Sequence, residues 1–333
     1  MDLTISPEQE HQWRTQGFTV VDGFDVSAAR AAARFDSSTD SGGFGSKDGG
    51  YEIPSGTDPV DLLPFRVLKV AKQLLRCNEL MLSQADVWLK KPKPHSEQSN
   101  DDQRMHCDYG NNTVFPTEWE KPNIMAAIIY LDSDGVECSG GATAAVPRQG
   151  PSDEAYTMDK FVLQPGYGDR AFFNNRATAE KWFKENRPAA EYEFRQRLYQ
   201  REIKVLPKIG RVLLYRVDLW HRGTPLTGGS RRVMNLVYHV RTDPGHGGRW
   251  NPGFFKDSYW WRNGKYGVPE RLFSEVLTPE YRTGLGFPPV GDQYWSKERL
   301  HFVKLRFPRF DVKPYLEAMP EELRNRPLLL SRL

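Results

Sequence analysis

The order of apolar and polar residues predicts a chain that begins with helices and continues in strands. Ser6-Pro-Glu-Gln9 has the form of a capping box with proline at the first helical position, so we predict a helix that begins there and ends at Gly17. The elements expected next are a strand from Val20, helices over 26–35 and 62–75, and a strand over 81–90. The glycine- and serine-rich stretch 36–58 is long enough to be a lid or a linker.

Residues directly after a polar, proline-containing loop over 92–103 indicate metal chemistry. His106 and Asp108 are one residue apart, and residues i and i+2 of an extended strand point to the same side, so both can reach one ion. His221, far downstream, completes a two-histidine, one-carboxylate set if its strand lies alongside. Such a set holds Fe(II) and leaves three coordination positions open. The sequence therefore predicts His106, Asp108 and His221 as metal ligands.

The surroundings of His221 support this prediction. A turn glycine and an apolar strand lead to it, a polar loop follows over 222–232, and a strand covers 233–240. This hairpin would bring an arginine close to the metal, and a guanidinium suits the carboxylate of an organic acid. Strand alternation puts Arg232 on the more uniformly apolar face, which we take for the interior of a barrel, and Arg231 on a mixed face. We therefore expect Arg232, with Arg231 as the alternative, to bind the acid.

These motifs resemble those of the phytanoyl-CoA dioxygenase family of iron- and 2-oxoglutarate-dependent oxygenases. The residues that carry the resemblance are Met105-His-Cys-Asp108, Trp220-His-Arg-Gly223 and an arginine eleven positions after the second histidine. The opening helix and strand over 4–21, the apolar run 127–132, and the glycine turn and strand over 139–147 are similar as well. The resemblance covers about residues 5–243.

The resemblance implies a double-stranded β-helix, which is a cupin-like jelly roll of two sheets with flanking helices, mainly β in class, with the metal inside one end. It also implies Fe(II), 2-oxoglutarate with its far carboxylate on Arg232, and dioxygen, with ascorbate as a further candidate cofactor. The products would be succinate, carbon dioxide and an oxidised substrate. Related halogenating enzymes have alanine or glycine at the position of Asp108, so a carboxylate here indicates hydroxylation or another oxidation.

Two positions depart from the family's pattern, and neither is a metal ligand. Cys107 stands between the first two ligands, where glutamine is common, and strand alternation turns it away from the metal. Gly223 stands where many members have a serine that helps to hold the cosubstrate carboxylate. Thr224 and Ser230 are the candidates to replace that serine, and Lys90 is a further candidate for cosubstrate binding.

Length and composition are typical of a soluble enzyme. The chain has 333 residues and a net charge of +3, with neither a basic stripe nor an apolar run long enough to span a membrane. We expect a small-molecule substrate, no nucleic acid and no membrane, in a monomer or a homodimer. The first residues lack the pattern of a secretory signal and the three cysteines show no paired spacing, so we expect a reducing, cytoplasmic location.

We expect a single oxygenase domain over 1–333. Its parts are N-terminal helices and a lid loop over 1–80, a β-helix core over 81–243 with a helical insertion over 149–205, and an aromatic-rich extension over 244–333. The charge of the insertion's helices, over 177–186 and 189–201, is most simply a solvated face. The extension, with Trp260 and Trp261, would either line the substrate pocket at the barrel mouth or pack outside the barrel or at a subunit interface.

Three other functions could use the same residues. A jelly-roll binding protein without catalysis would keep the fold, and a zinc hydrolase would use the same ligands, although no general base is evident near the motif. A hydroxylase of protein or nucleic acid would share the iron chemistry. The remaining histidines, including His239 on the outward face of its strand, are expected to be surface or packing residues.

Overall fold

Two antiparallel sheets form the centre of the fold. The computed structural model describes residues 1–27, 59–92, 101–108, 119–132, 140–157, 159–161, 163–165, 173–240, 271–284, 287–292, 295–325 and 327. Within these residues, the larger sheet has the strand order β1 (Phe18–Val21), β6 (Val212–Arg216), β3 (Ile124–Asp132), β8 (Arg231–Val240) and β2 (Leu80–Lys90). The smaller sheet has the order β5 (Ile203–Val205), β4 (Thr143–Ala145) and β7 (His221–Gly223). All neighbouring strands run antiparallel.

The smaller sheet packs against one face of the larger sheet. Tyr130 of β3 is fully buried, and its hydroxyl lies 3.1 Å from Oγ1 of Thr143 in β4 and 3.5 Å from the carbonyl oxygen of Val205 in β5. Alternate side chains of β3, β6 and β8 contribute to the same buried layer: Ile124, Ala126, Ile128, Leu213, Tyr215, Val233 and Val237. Two antiparallel sheets with flanking helices confirm the predicted mainly β class, and their arrangement is consistent with a jelly roll.

Helices cover the outer face of the larger sheet. α1 (Pro7–Gln16) begins at the predicted capping box, in which Ser6 and Gln9 each accept the other's backbone N–H, and it ends at Gly17. α2 (Pro59–Leu75) packs its apolar side on the sheet because leucine, valine and alanine recur along it at helical spacing. The outer side chains of the sheet and of these helices form one core cluster that includes Trp13, Val67, Ala71, Leu74, Met125, Leu214 and Leu236.

The two helices predicted over 177–186 and 189–201 are present. α3 (Arg176–Asn186) is capped by Asn175, whose side chain accepts from the N–H of Thr178, and α4 (Ala189–Arg201) follows directly. The charges of these helices are not all solvated, because Glu180 and Arg195 are 8% and 0% exposed and form an ion pair. The expected solvated face was therefore wrong for these two residues, which face the core next to the smaller sheet.

The described part of the C-terminal extension packs behind the larger sheet. Its elements are a π-helical turn (Leu272–Val276), α5 (Pro279–Gly284), α6 (Lys297–Arg306), α7 (Lys313–Glu317) and α8 (Glu321–Arg324). Phe287, Trp295 and Phe310 are buried in the same cluster as α2. These residues therefore pack on the helix-covered face of the larger sheet, while Trp260, Trp261 and the 36–58 loop lie outside the described residues. Within the described chain, no helix is both long and apolar enough to cross a membrane.

The prediction that His221 and the following strand form a hairpin was wrong. β6 ends at Arg216, a turn is closed by the bond from the N–H of Leu219 to the carbonyl of Arg216 at 3.0 Å, and His221 then begins β7 in the other sheet. Residues 224–230 therefore cross from the smaller sheet to the larger one. The sequence did not show this change of sheet, because apolar residues continue from Val212 to Trp220 with only Arg216 and Asp218 between them, and both strands are buried.

Candidate metal centre

His106, Asp108 and His221 come together where the chain around His106 pairs with β7, the strand that begins at His221. Each offers one ligand atom, and the three atoms lie within 4.8 Å of one another. Nε2 of His106 is 3.5 Å from Oδ1 of Asp108, and Nε2 of His221 is 3.3 Å from Oδ2 of the same carboxylate. The two imidazole rings are 4.5 Å apart between centroids. The structure thus brings together the three residues that the sequence singled out.

Backbone hydrogen bonds between the chain around His106 and the chain around His221 place the three side chains on the same side. His106 and His221 are antiparallel partners that exchange both N–H to carbonyl bonds, at 3.0 and 2.8 Å. The N–H of Asp108 donates to the carbonyl of Val217 at 2.8 Å. The Sγ of Cys107 donates instead to the carbonyl of Asp218 at 3.4 Å, and burial raises the pKa of this thiol, so it stays a neutral buried group.

Backbone carbonyls orient both imidazole rings. Nδ1 of His106 lies 2.9 Å from the carbonyl oxygen of Arg104, and Nδ1 of His221 lies 2.9 Å from that of Leu219. A carbonyl oxygen can only accept, so each Nδ1 carries a proton and each Nε2 is the nitrogen left to face Asp108, where a metal ion would replace any proton on it. Metal-binding histidines are held in the same manner in known sites, so these two rings are prepared for a metal at Nε2.

The charges of the centre favour a bound cation. Burial raises the pKa of Asp108, but the charge of His221 and hydrogen bonds, including one from the Tyr215 hydroxyl at 3.1 Å, outweigh burial and hold this pKa well below its ordinary value. Burial lowers the pKa of His106 to about 3, so that ring is neutral. Burial also lowers the pKa of His221, but the Asp108 carboxylate outweighs it and raises the pKa. An ionised carboxylate attracts a cation here, whether a proton or a metal ion.

The donor set fits a divalent transition metal with open coordination positions. Two donor atoms held about 2.1 Å from one ion and at right angles are about 3 Å apart. Each imidazole Nε2 is close to that distance from one oxygen of Asp108, at 3.5 Å from Oδ1 for His106 and 3.3 Å from Oδ2 for His221. Two imidazole nitrogens with one carboxylate oxygen are the ligands of facial-triad Fe(II) sites. The residues therefore fit the iron that the sequence predicted.

The arginine on the inner face of β8 is Arg231. The neighbours that alternate with Arg232, such as Met234, lie in the cluster under α1 and α2, and Arg232 is half-buried with Nη1 3.5 Å from Asp132. Arg231 is 9% exposed and alternates with Val233 in the layer between the sheets. The expected interior position of Arg232 was wrong, because alternation separates the faces of a strand without showing which face the helices cover.

Lys90 and Thr224 lie beside Arg231. Lys90 is the register partner of Arg231 on β2, so the two side chains share one face of the sheet. Nζ of Lys90 donates to the carbonyl of Thr224 at 2.8 Å, and Nη1 of Arg231 donates to the carbonyl of Gly141. The hydroxyl of Thr224 donates to the carbonyl of Ala142 at 3.0 Å. Ser230 is half-buried in the preceding loop.

Two basic side chains thus lie together on the inner face, and Nζ of Lys90 is also 3.9 Å from Oδ1 of Asp101. Burial, reinforced by the charge of Arg231, lowers the pKa of Lys90 to about 7 despite the carboxylates of Asp101 and Asp102. Burial lowers the pKa of Arg231 as well. A bound anion would stabilise both charged forms, so the site suits the carboxylate of an organic acid.

Two further residues of the centre were missed in the sequence. The ring of Tyr215, whose hydroxyl bonds Asp108, is 4.9 Å from the ring of His221. Arg104 is 7% exposed and burial lowers its pKa to about 10; its charge adds to the lowering of the His106 pKa and opposes the rise of the His221 pKa. Strand alternation could have indicated that Arg104 shares a face with His106, because it is two positions earlier. No local signal marks Tyr215, because its contact depends on how distant segments pack.

Comparisons with known proteins return similarity to solved structures. No protein-family model matches the chain, and no curated protein matches it in sequence. The non-heme alpha-ketoglutarate-dependent carbocyclase SnoK from nogalamycin biosynthesis is similar over 75% of this chain and 92% of its own, with 18% identity and a TM-score of 0.45. EctD from S. alaskensis is similar over 79% and 87%, with 16% identity and a TM-score of 0.43.

A third solved structure is the epimerase SnoN in complex with Fe3+, alpha ketoglutarate and nogalamycin RO. It is similar over 79% of this chain and 94% of its own, with 16% identity and a TM-score of 0.43. At this level of similarity the function has to be argued from the geometry of the centre.

Proposed function

We propose that the protein is a non-haem Fe(II)- and 2-oxoglutarate-dependent dioxygenase that oxidises a small organic molecule. The observation that carries this proposal is the convergence of His106, Asp108 and His221, with each Nδ1 held by a backbone carbonyl. Such a set leaves three coordination positions for an organic acid and dioxygen. Membership of the phytanoyl-CoA dioxygenase family is the finer part of the proposal, and the sequence motifs around these ligands support it.

The three ligands would hold the metal, and the surrounding residues would keep it correctly placed. Bound Fe(II), with 2-oxoglutarate and dioxygen, supplies oxidation of a substrate together with release of succinate and carbon dioxide. Tyr215 donates to Oδ2 of Asp108 and keeps the carboxylate ionised and oriented. Because Asp108 fills the carboxylate position, we propose hydroxylation or another oxidation and not halogenation.

Arg231 and Lys90 would bind the far carboxylate of 2-oxoglutarate. Both are largely buried on the inner face of the larger sheet, and their charges reinforce each other toward an anion. The planar guanidinium of Arg231 can hold a carboxylate through two parallel bonds. We therefore propose Arg231 in place of Arg232, with Lys90 and the nearby Thr224 completing the site.

The test is iron-dependent succinate formation by the full chain. Metal-free protein is loaded with Fe(II) or Zn(II) under anaerobic conditions, air is admitted, and succinate from 2-oxoglutarate is measured with a panel of small metabolites. We expect succinate from the protein loaded with Fe(II) and none from the protein loaded with Zn(II). His221→Ala and Asp108→Ala should lose iron binding and succinate formation while circular dichroism stays native. Full succinate formation by either variant would overturn the ligand assignment.

The alternative functions give different results in the same assay. A zinc hydrolase would bind Zn(II) and form no succinate, and an inactive binding protein would bind 2-oxoglutarate without consuming it. A hydroxylase of protein or nucleic acid would couple succinate formation only to a macromolecule. The small net charge of +3, without a basic stripe, supports a small-molecule substrate.

A further inference from the structure

The backbone around His106 is held on both edges. One edge pairs with β7, as described above. On the other edge, the backbone of the two flanking residues bonds to side chains of the helical insertion. The N–H of Met105 donates to the hydroxyl of Tyr199 at 3.0 Å, and the N–H of Cys107 donates to Oε1 of Gln164 at 2.8 Å. His106 therefore lies between two residues that are each anchored from outside the sheet.

Arg195 of α4 completes this second edge. Its Nη2 donates to the carbonyl of Met105 at 3.2 Å, and its Nη1 donates to the carbonyl of Leu163 at 2.6 Å. Its Nε and Nη2 also donate to Glu180 of α3, at 2.9 and 2.5 Å, and the Tyr199 hydroxyl donates to the same carboxylate at 2.7 Å. Side chains of α4 and Gln164 thus take the place that a neighbouring strand would have along this edge, and Glu180 of α3 holds the two α4 side chains.

Burying this network costs hydration free energy, and a gain in fold stability does not account for its presence. Arg195, Glu180 and Tyr199 are 0%, 8% and 9% exposed. A buried ion pair rarely stabilises a fold more than apolar side chains of similar volume, because both charges lose their hydration. Its directional hydrogen bonds do hold one backbone segment in a single position, which apolar packing does less sharply.

We propose that Tyr199, Arg195 and Gln164 are positioning residues for the metal ligand His106. This inference rests on the proposed metal centre. Because the residues before and after His106 are tied to the insertion, Nε2 of His106 is held at a separation from Asp108 that suits one shared ion. Contacts that orient ligands in this way typically change metal affinity by about 10- to 100-fold when they are removed.

Tyr199→Phe tests the proposal because it removes only the hydroxyl between Met105 and Glu180. Tyr192, a half-buried tyrosine on the same helix, supplies the matched control Tyr192→Phe. Full-length, metal-free variants are titrated with Co(II) by calorimetry and visible absorption. We expect Tyr199→Phe to bind Co(II) about tenfold more weakly, with shifted absorption bands, and Tyr192→Phe to match the wild type. A purely structural role would lower only the melting temperature of the metal-free protein.

Gln164→Met is the second variant, since it removes the acceptor at Cys107 and leaves the ion pair intact. It decides the matter if Tyr199→Phe does not fold, and we expect it to weaken Co(II) binding in the same direction. Wild-type affinity and absorption in the folded variants would overturn the positioning role. Absence of Co(II) binding in the wild-type protein would instead overturn the proposed metal centre, so the two failures are distinguishable.

Discussion

At the scale of single residues, the inner face of the larger sheet places two basic side chains in register. Lys90 on β2 and Arg231 on β8 are direct cross-strand partners, and like charges in that position oppose each other. The opposition is visible in Lys90, because the charge of Arg231 adds to burial in lowering its pKa to about 7. An arrangement of this kind is costly in the free protein and becomes favourable when an anion binds. This is why we propose the pair as the end of the site that receives the far carboxylate of the cosubstrate.

Arg231→Ala should raise the 2-oxoglutarate requirement far more than Arg232→Ala. Losing a charge-assisted pair in a buried site costs on the order of 2–5 kcal/mol, about thirtyfold or more in affinity. Arg232→Ala removes a half-exposed partner of Asp132 on the other face, so its effect should stay within about threefold. Succinate formation against 2-oxoglutarate concentration measures both, and Arg231→Lys should be intermediate. A larger effect for Arg232→Ala would restore the strand face that the sequence predicted.

Binding of 2-oxoglutarate should weaken as the pH rises above neutrality. Lys90 in the free protein has a pKa of about 7, and a bound anion raises that pKa because it favours the charged form. Below pH 7 the lysine is already protonated and affinity is at its maximum; above it, binding must take up a proton, so affinity falls until the pKa of the complex is reached. Calorimetry between about pH 6 and 9 measures the slope. Lys90→Gln should bind more weakly and with a flatter profile; an unchanged slope would exclude Lys90 from the site.

At the scale of elements, local patterns predicted α1 to α4 and singled out the three residues that converge in the structure, while the pairing between elements could not be read from them. The capping box at Ser6 and the His106–Asp108 spacing are local signals, and both appear as expected. The face of β8 is not local, and so Arg232 was chosen and His239, expected to point outward, is only 6% exposed. The buried ion pair of the insertion was missed for the same reason, because composition does not show which charges another element will cover.

Gly140→Ala should destabilise the connection between the sheets more than Gly150→Ala does. Both glycines have φ of +99°, which is strained for any other residue, but a Cβ at Gly140 would lie 2.3 Å from the carbonyl oxygen of Pro225, whereas nothing lies within 4 Å at Gly150. We expect a loss of about 1 kcal/mol for Gly150→Ala and about 1–3 kcal/mol more for Gly140→Ala. Urea unfolding measures both. Equal losses would mean that the loop containing Pro225 moves away without cost.

At the scale of the whole molecule, the covering of the larger sheet decides which of its faces is the interior. The outer face is apolar along β3, β6 and β8, and it is buried under α1, α2 and the described C-terminal segments in one cluster. The other face is thereby left to the smaller sheet, to Arg231 and to the three proposed metal ligands, two of which contact Tyr215. The C-terminal extension thus supports the site from a distance, because it keeps the apolar side of the sheet covered.

Phe287→Ala should therefore lower stability and leave catalysis in place. Phe287 is 0% exposed, and its ring centroid is 4.9 Å from that of Phe273 and 4.8 Å from that of Trp295. Deleting a buried phenylalanine costs about 3–5 kcal/mol in the free energy of unfolding, whereas Val290→Ala, at a position 41% exposed, should change it by no more than about 0.5 kcal/mol. Urea unfolding gives the stability, and succinate formed per bound iron, at a temperature where both variants are folded, gives the activity. We expect both variants to form as much succinate per bound iron as the wild type. If Phe287→Ala instead kept its stability and formed more succinate without oxidising substrate, this segment would belong to the substrate pocket.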